Sequence, residues 1–458
     1  MNAINSNAAS RHVIGLSDLS KLRTERPLII ERGNGIFVYD ESGKDYLEAV
    51  SSFYCAALGF SDEELVEAAI RQLRQLPIYP SSMGRTVAVT EELAAALSAI
   101  APIKDARILF AISGTEAIDN LVKLTWYNNI TGGTPARRKI ISRWGSYHGT
   151  STLSTSLGGS PLLHEAFGVQ SPITPHISQP SWPDGALPGE SEDEFTKRLV
   201  DELRAVIEAE GPETIAAVLA EPVSVSAGMH VPPRNYFRDI RALLDTYGIK
   251  LYADEVVTGF GRTGNFWGSQ SFDIDPHCFV TSKGFGAAYQ PIAAIGVNAD
   301  FYEQLVRGSE KYGVFAHAAT YHGHPVAAAV ALETIRIFER RNIVQKVRDI
   351  IPTWNAVIDR LGQHPLVKRT RKTGLLAGLD LGLPGVDWQH EPARSLTPGS
   401  LPSKLYEAGL KEGIMVRPLA RGIVLSPPLI IQESELFELE NRLTKALDRV
   451  LHDVSKST

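Results

Sequence analysis

Residues 249–284 read IKLYADEVVTGFGRTGNFWGSQSFDIDPHCFVTSKG, and this stretch carries a clear pattern of buried strands. It holds two short apolar runs, Ile249–Asp254 and Cys278–Thr281, of the kind that form strands buried on both faces of a sheet. Charged residues end each run, first Asp254 and then Lys283. In a parallel sheet, such residues lie at the carboxyl edge, where α/β proteins bind their ligands. The stretch therefore predicts an α/β core with a ligand site at one edge of the sheet.

The same pattern extends outward on both sides of this stretch. Four further apolar runs predict strands, namely Arg107–Ile112, Arg138–Ser142, Ile215–Ala220 and Ile292–Val297. Apolar residues at every fourth position predict a helix that ends at Gly211-Pro212, with Phe195, Leu199, Leu203 and Ile207 along one stripe. A second helix is expected over residues 234–247, ending at Gly248. The Pro- and Gly-rich residues 158–189 are interpreted as a long surface excursion.

These elements predict a large α/β domain over residues 81–330. Residues 1–80 and 331–458 are expected to join as a smaller α+β domain, because each lies outside the alternating strands and helices of the core.

Composition excludes several classes of protein. The 458 residues carry 46 Lys and Arg against 52 Asp and Glu, a net charge of −6, so no excess of basic residues favours nucleic-acid binding. No run of 18 apolar residues predicts a membrane span, and the N-terminus lacks the apolar run of a signal peptide. The two cysteines, Cys55 and Cys278, are interpreted as buried reduced thiols. A cytoplasmic protein is expected.

Three short segments carry chemistry beyond what a strand or helix needs. The first, Ser113-Gly114-Thr115, follows a predicted strand and opens a predicted helix. Its free N–H groups and the positive end of the helix dipole suit a phosphate. An ordinary helix N-cap explains the same residues equally well.

The other two segments lie within residues 249–284. Asp254 shares a strand face with Val256, whereas Glu255 faces the other side. A carboxylate that caps a helix is the alternative interpretation of Asp254. Lys283 closes the next strand, and at a partly buried site its pKa falls and its amine can condense with a carbonyl. A surface lysine with its ammonium in water is the alternative.

Two other patterns carry no site. Gly259–Gly264 matches the dinucleotide-binding pattern G-x-G-x-x-G, but the following residues do not open a helix, so no nicotinamide cofactor is expected. His317, His322 and His324 cluster in the sequence without a nearby Cys or acid, so no metal site is expected.

Taken in order, these segments resemble the class III (omega-type) aminotransferases, which are pyridoxal-phosphate enzymes of fold type I. The resemblance extends along nearly the whole chain. Its matched motifs are Asp40–Ala49 (DESGKDYLEA), Leu58-Gly59-Phe60, Ser113–Ala117, Tyr147-His148-Gly149, Glu221-Pro222, Asp254–Val256, Gly259–Gly264, Lys283-Gly284, Thr320–Pro325, Val416-Arg417-Pro418 and Ser426–Leu429.

The resemblance implies a large domain with a mainly parallel seven-stranded sheet, and a role for each matched residue. Lys283 would bind pyridoxal 5′-phosphate covalently and move a proton between substrate and cofactor, and Asp254 would pair with the pyridine N–H. The other implied cofactor residues are Ser113, Gly114, Thr115, Tyr147, His148, Glu221, Val256 and, from a dimer partner, Thr320. The implied substrate residues are Tyr54, Tyr147, Ser226, Arg417 and Arg421.

The function implied is transfer of an amino group from a primary amine or omega-amino acid to an α-keto acid such as pyruvate. Pyridoxamine 5′-phosphate would be the intermediate form of the cofactor. A homodimer with shared active sites is expected, with a tetramer as the alternative assembly. Two other functions stay open on sequence alone. One is a decarboxylase or aminomutase of the same fold, and the other is a catalytically idle, cofactor-binding regulatory protein.

Overall fold

The structure, a computed structural model, describes residues 11–386 and 399–456, and its strands form three sheets. The strands are β1 (Ile30–Asn34), β2 (Phe37–Asp40), β3 (Asp45–Glu48), β4 (Arg107–Ala111), β5 (Lys139–Arg143), β6 (His176–Ile177), β7 (Ile215–Ala220), β8 (Lys250–Asp254), β9 (Cys278–Thr281), β10 (Ala293–Val297), β11 (Val367–Thr373), β12 (Leu376–Leu381), β13 (Ile414–Met415), β14 (Arg417–Pro418) and β15 (Gly422–Leu425). The helices are α1 (Ser51–Tyr54), α2 (Glu63–Gln75), α3 (Ala88–Ile100), α4 (Gly114–Thr131), α5 (Thr152–Leu157), α6 (Pro161–Phe167), α7 (Glu192–Glu210), α8 (Tyr236–Tyr247), α9 (Gly268–Ser271), α10 (Ala299–Tyr312), α11 (Pro325–Arg340), α12 (Ile343–Leu361), α13 (Leu401–Glu412) and α14 (Glu433–Ser455). None of these helices combines the length and apolar character that a bilayer crossing needs.

The central sheet has seven strands in the order β4-β10-β9-β8-β7-β5-β6. Strands β5 to β9 pair in parallel, whereas β10 runs antiparallel to both of its neighbours. The prediction of a mainly parallel seven-stranded sheet is therefore confirmed. The six strands expected from apolar runs agree with the observed bounds to within one residue at either end.

Helices cover both faces of this sheet, which explains why its strands are apolar throughout. Along β7 and β8, Val218 and Leu251 pack with α7 and α8, while the adjacent Leu219 and Tyr252 pack with α4. Successive side chains of a strand point to opposite faces, so each face needs its own apolar set. The two predicted helices α7 and α8 are confirmed, and Gly248 adopts the left-handed conformation after α8.

Residues 158–189 are mostly exposed or half-exposed, as expected for a surface excursion, but they are more ordered than that interpretation implies. They contain α6 and the sheet strand β6, and both His164 and Ile177 are buried. A two-residue strand is too short to show a hydrophobic period, which is why the sequence does not reveal it.

The chain ends build the other two sheets. β3 pairs in parallel with β13, so strands from the first eighty residues and from the C-terminal region share one sheet, in the order β1-β2-β3-β13. The third sheet, β11-β12-β15-β14, is antiparallel and entirely C-terminal. This pairing supports the proposed division into a large domain over residues 81–330 and a smaller one from residues 1–80 and 331–458.

Candidate active site

A cleft of about 610 Å³, open to solvent, lies at the carboxyl edge of the central sheet. Strands β8 and β9 run in parallel and in register, with Asp254 opposite Val280, so Asp254 and Lys283 leave the sheet at the same edge. The residues that line the cleft are Gly114, Thr115, Tyr147, His148, Gly149, Glu221, Val223, Val225, Ser226, Asp254, Val256, Val257, Ser282 and Lys283. Nine of the residues predicted from sequence thus converge on one cavity.

Asp254 is buried at the floor of the cleft, and its two carboxylate oxygens have separate partners. Oδ2 lies 2.7 Å from His148 Nδ1, and Oδ1 accepts a hydrogen bond of 3.1 Å from the Val256 N–H. The other ring nitrogen of His148 has no hydrogen-bond partner among the residues that the structure describes. The carboxylate is therefore held in one orientation at the end of β8.

The side chain of Glu255, the next residue, lies on the opposite face from that of Asp254, as the alternation of side chains along a strand predicts. Its carboxylate accepts hydrogen bonds from Thr258, Gly268 and Ser269, and burial raises its pKa. It fixes the loop after β8 and lies outside the cleft lining.

Lys283 follows β9 in a strained backbone conformation. Its φ is +45°, in the left-handed region that residues with a Cβ seldom occupy. Such strain persists where the surrounding structure fixes it, and it is common at functional sites. Burial lowers the pKa of Lys283 to about 8, although the charge of Asp254 opposes this shift. The amine is thus partly neutral near physiological pH and able to act as a nucleophile or a base.

The N-terminus of α4 forms another wall of the cleft. Ser113 is the N-cap, and its hydroxyl accepts a hydrogen bond of 3.2 Å from the Glu116 N–H. Gly114 lies against the cleft, where a Cβ would come within 3.2 Å of Val256. The Ser113 side chain is therefore engaged in capping, while Gly114 and Thr115 face the cavity. The N-cap interpretation therefore concerns the Ser113 hydroxyl, whereas the anion-site interpretation concerns Gly114 and Thr115 in the same turn.

Tyr147 and Glu221 form a coupled pair at the mouth of the cleft. The Tyr147 N–H donates a hydrogen bond of 2.8 Å to Glu221 Oε1. The Glu221 carboxyl is buried, and burial raises its pKa. Tyr147 remains 36% exposed, so its ring is accessible on the cleft side. Glu221 thus orients the backbone that presents the aromatic ring.

Tyr54 and Arg417 lie beside the cleft. The Tyr54 ring centroid is 5.2 Å from Lys283 Nζ, and the Arg417 guanidinium lies 5.0 Å from the same ring and 4.8 Å from that of Phe53. Burial raises the pKa of Tyr54, and Arg417 and Ser226 oppose this shift. Tyr54, Arg417 and Ser226, which are predicted to contact the substrate, therefore lie on the side of the cleft that holds Lys283.

Two predicted residues lie elsewhere. Thr320 is exposed in the segment between α10 and α11, and Arg421 lies in the turn between β14 and β15. Neither belongs to the lining of the cleft in the described part of the chain. Their predicted roles, on a partner subunit's cofactor and on a substrate carboxylate, remain predictions.

Sequence reasoning missed several residues of the site. Phe53 contributes the second aromatic ring beside Arg417, and Val223 and Val225 line the cleft. The alternation Val223-Ser224-Val225-Ser226 directly after the matched Glu221 carries a strand-like period that could have indicated a two-faced segment. His322, predicted to have no metal role, lies 2.9 Å from the Glu116 carboxylate.

The cleft fits a phosphorylated pyridine. It combines an anion-binding helix N-terminus, a fixed carboxylate and a lysine amine in one cavity. The absence of a side chain at Gly114 leaves the helix terminus open to a ligand. An aromatic ring at Tyr147 and an apolar side chain at Val256 are available to the two faces of a flat ring.

Comparisons with known proteins agree with this chemistry. The family model described as Aminotransferase class-III matches residues 20–447. Gamma-aminobutyrate transaminase 1, mitochondrial, of Oryza sativa subsp. japonica is 39% identical over 414 residues, which cover 90% of this chain and 80% of the relative. Vanillin aminotransferase of Capsicum frutescens is 38% identical over 425 residues, which cover 92% of this chain and 91% of the relative.

A solved structure shares the whole architecture. The omega transaminase from Pseudomonas jessenii in complex with PMP has a TM-score of 0.89 and 39% identity, over 94% of both chains. Since fold, site chemistry and sequence agree over most of the chain, the protein belongs to the class III aminotransferases and is a pyridoxal-phosphate-dependent enzyme that transfers amino groups.

Proposed function

We propose that this enzyme moves an amino group from a primary amine or omega-amino acid to an α-keto acid, with pyruvate as the acceptor. The observation that carries the proposal is the position of Arg417. Its guanidinium lies within 5.0 Å of two aromatic rings, those of Phe53 and Tyr54, beside a cleft whose lining includes Val223 and Val225. A cation that can lie against aromatic faces or turn to a carboxylate lets one pocket accept both kinds of substituent.

Each residue of the cleft has a role in this proposal. Pyridoxal phosphate, when bound, supplies an electron sink for negative charge at the substrate carbon. Lys283 would hold the cofactor through its amine, and the same amine would take up and return the substrate proton. Asp254, fixed by His148, would keep the pyridine nitrogen protonated through its negative charge.

The remaining walls bind and orient. Gly114 and Thr115 bind the phosphate through the N-terminus of α4, with Ser113 holding that turn in place. Tyr147 and Val256 enclose the ring, and Glu221 positions Tyr147. Tyr54 and Ser226 shape the pocket for the substrate, and Arg417 or Arg421 binds its carboxylate.

We propose a homodimer in which Thr320 completes the phosphate site of the partner. The exposed position of Thr320, away from the cleft of its own chain, supports a role on another subunit. The proposed location is the cytoplasm. Rice relatives carry mitochondrial names, so a fractionation experiment decides between the compartments.

A panel of amine donors with pyruvate tests the reaction. The panel contains an arylalkyl amine, a linear diamine, β-alanine and γ-aminobutyrate, and Lys283→Ala serves as the blank. The proposal predicts stoichiometric alanine and carbonyl product from at least one donor. Release of carbon dioxide, an intramolecular shift of the amino group, or no alanine from any donor would contradict it.

A further inference from the structure

The substrate side of the cleft is built by a small hairpin, residues 224–230. Ser224 and His230 exchange both backbone hydrogen bonds, at 3.1 and 3.0 Å. The residues between them include Val225 and Ser226, which line the cleft. The position of this 224–230 hairpin therefore decides the shape of that wall.

A buried arginine from the C-terminal sheet holds the tip of the hairpin. Arg371, on β11, donates from Nε to the Gly228 carbonyl at 3.0 Å. Its other two nitrogens, Nη1 and Nη2, form a bidentate ion pair with the Asp380 carboxylate, at 2.7 and 2.6 Å. Nη1 also donates a hydrogen bond of 3.1 Å to Asp184. Arg371 is only 9% exposed, so its guanidinium has one fixed orientation.

The other end of the hairpin joins the same network. His230 Nδ1 lies 2.8 Å from Ser181 Oγ, and that hydroxyl donates a hydrogen bond of 3.2 Å to Asp184. Asp184 in turn pairs with Arg371. A closed ring of polar contacts thus connects Gly228 and His230 through one carboxylate.

Apolar packing fixes the hairpin against the same sheet. Met229 is fully buried and packs in a cluster with Tyr54 and with Leu376 of β12. Gly378 on β12 allows this approach, since a Cβ there would come within 2.8 Å of the Met229 Cβ. The hairpin therefore moves only if its contacts with β11 and β12 loosen.

We propose that Arg371 is a positioning residue that sets the substrate wall of the cleft and thereby the choice of amine donor. Arg371 is not among the residues that line the cleft, and it acts by fixing the Gly228 carbonyl, two residues beyond Ser226. Without that bond the hairpin tip gains freedom, and Val225 and Ser226 no longer hold one position against a bound donor. The proposal rests on the proposed function, because it assumes that a donor occupies this side of the cleft.

The test compares Arg371→Lys with Arg369→Lys. Lysine at position 371 keeps a positive charge between Asp184 and Asp380 but has no Nε–H for Gly228. Arg369 pairs with the same two carboxylates from the same strand, so its replacement perturbs the charges to a similar degree. Ser181→Ala removes the hydrogen bond to His230 and so loosens the other end of the hairpin. This second variant tests the proposal even if Arg371→Lys does not fold.

Two readouts are needed. Hydrogen exchange of the cofactor-free protein should show faster exchange over residues 224–230 in Arg371→Lys and Ser181→Ala than in wild type or Arg369→Lys. In steady-state kinetics, Arg371→Lys should raise KM for the best amine donor about tenfold, with kcat changed about twofold at most. The ratio of kcat/KM between a bulky and a small donor should change as well.

The outcomes separate the two proposals. An inactive wild-type enzyme contradicts the proposed function, and the exchange data still report on the hairpin. An active wild type in which Arg371→Lys and Arg369→Lys behave alike in both exchange and KM overturns the positioning role of Arg371. A fall in kcat alone, with unchanged KM and unchanged donor preference, overturns it equally.

Discussion

Replacement of Arg417 should separate the two half-reactions of the enzyme. The guanidinium lies 4.8 Å from the Phe53 ring and 5.0 Å from the Tyr54 ring, at the side of the cleft that also holds Lys283. An amine without a carboxylate leaves the arginine against these rings, whereas a keto acid draws it toward the carboxylate. Arg417→Ala removes both positions.

The size of the effect follows from the competition between the two positions. Each cation–π contact of this partly buried guanidinium stabilises the resting position by about 0.5–1 kcal/mol, so two contribute about 1–2 kcal/mol. A bidentate, charge-assisted pair with a carboxylate contributes about 3 kcal/mol, the upper value for hydrogen bonds to charged groups. The net gain for a keto acid is therefore about 1–2 kcal/mol, which corresponds to roughly 5- to 30-fold in affinity or rate. Because this free-energy difference is small, the bound ligand determines whether the guanidinium lies against the rings or pairs with a carboxylate.

Single-turnover kinetics measure the two half-reactions separately. In Arg417→Ala we expect the half-reaction with pyruvate or alanine to slow by roughly 5- to 30-fold, and that with a carboxylate-free amine to change about twofold at most. Arg421→Ala is the matched control for loss of a nearby positive charge. Equal losses in both half-reactions of Arg417→Ala would show that Arg417 does not move between the rings and a substrate carboxylate. If only Arg421→Ala discriminates, the carboxylate-binding residue is Arg421.

Three further predictions concern the cofactor side of the cleft. Burial lowers the pKa of Lys283 to about 8. Between about pH 8 and 10.5 the amine therefore carries a proton in the unfolded chain but not in the folded chain. Because of this difference, the contribution of Lys283 to the free energy of unfolding rises with pH through that window. Competitive acetylation of the cofactor-free protein should show half-maximal reactivity of Lys283 near pH 8, and a midpoint above 10 would exclude the lowered pKa. Asp254→Asn should fold and bind the cofactor but lose about 100- to 1,000-fold in kcat, because a neutral amide holds the ring proton poorly; a loss below about tenfold contradicts that role. Mixing Thr320→Ala with Lys283→Ala subunits should create hybrid dimers with one intact site. The activity of the mixture at limiting cofactor should therefore exceed that of either parent variant. A mixture that is no more active than the mean of the two parents rules out the shared site.

The fold was largely predictable because its central strands are local features. Runs such as Ile215–Ala220 are apolar at every position, since helices cover both faces of the sheet. The positions of Asp254 and Lys283 follow from the same rule, because parallel strands end at one edge. In contrast, β6 has only two residues and no period of its own.

The missing parts of the site depend on contacts between distant segments. The Arg371 bond to Gly228 spans 143 residues, and its pair with Asp184 spans 187. In the sequence each partner is an ordinary charged or small residue, and no spacing links them. Phe53 likewise gains a role only because β14 brings Arg417 over its ring. Local patterns predict elements and sheet edges, whereas such pairings require the tertiary structure.

Reductive trapping identifies the lysine that binds the cofactor. The purified enzyme is loaded with pyridoxal phosphate, reduced with borohydride, digested and mapped by mass spectrometry. We expect a single phosphopyridoxyl group on the peptide that contains Lys283, and none in Lys283→Ala treated in the same way. A stable label on another lysine of the wild-type enzyme, with Lys283 unmodified, would contradict the assignment of this cleft as the active site.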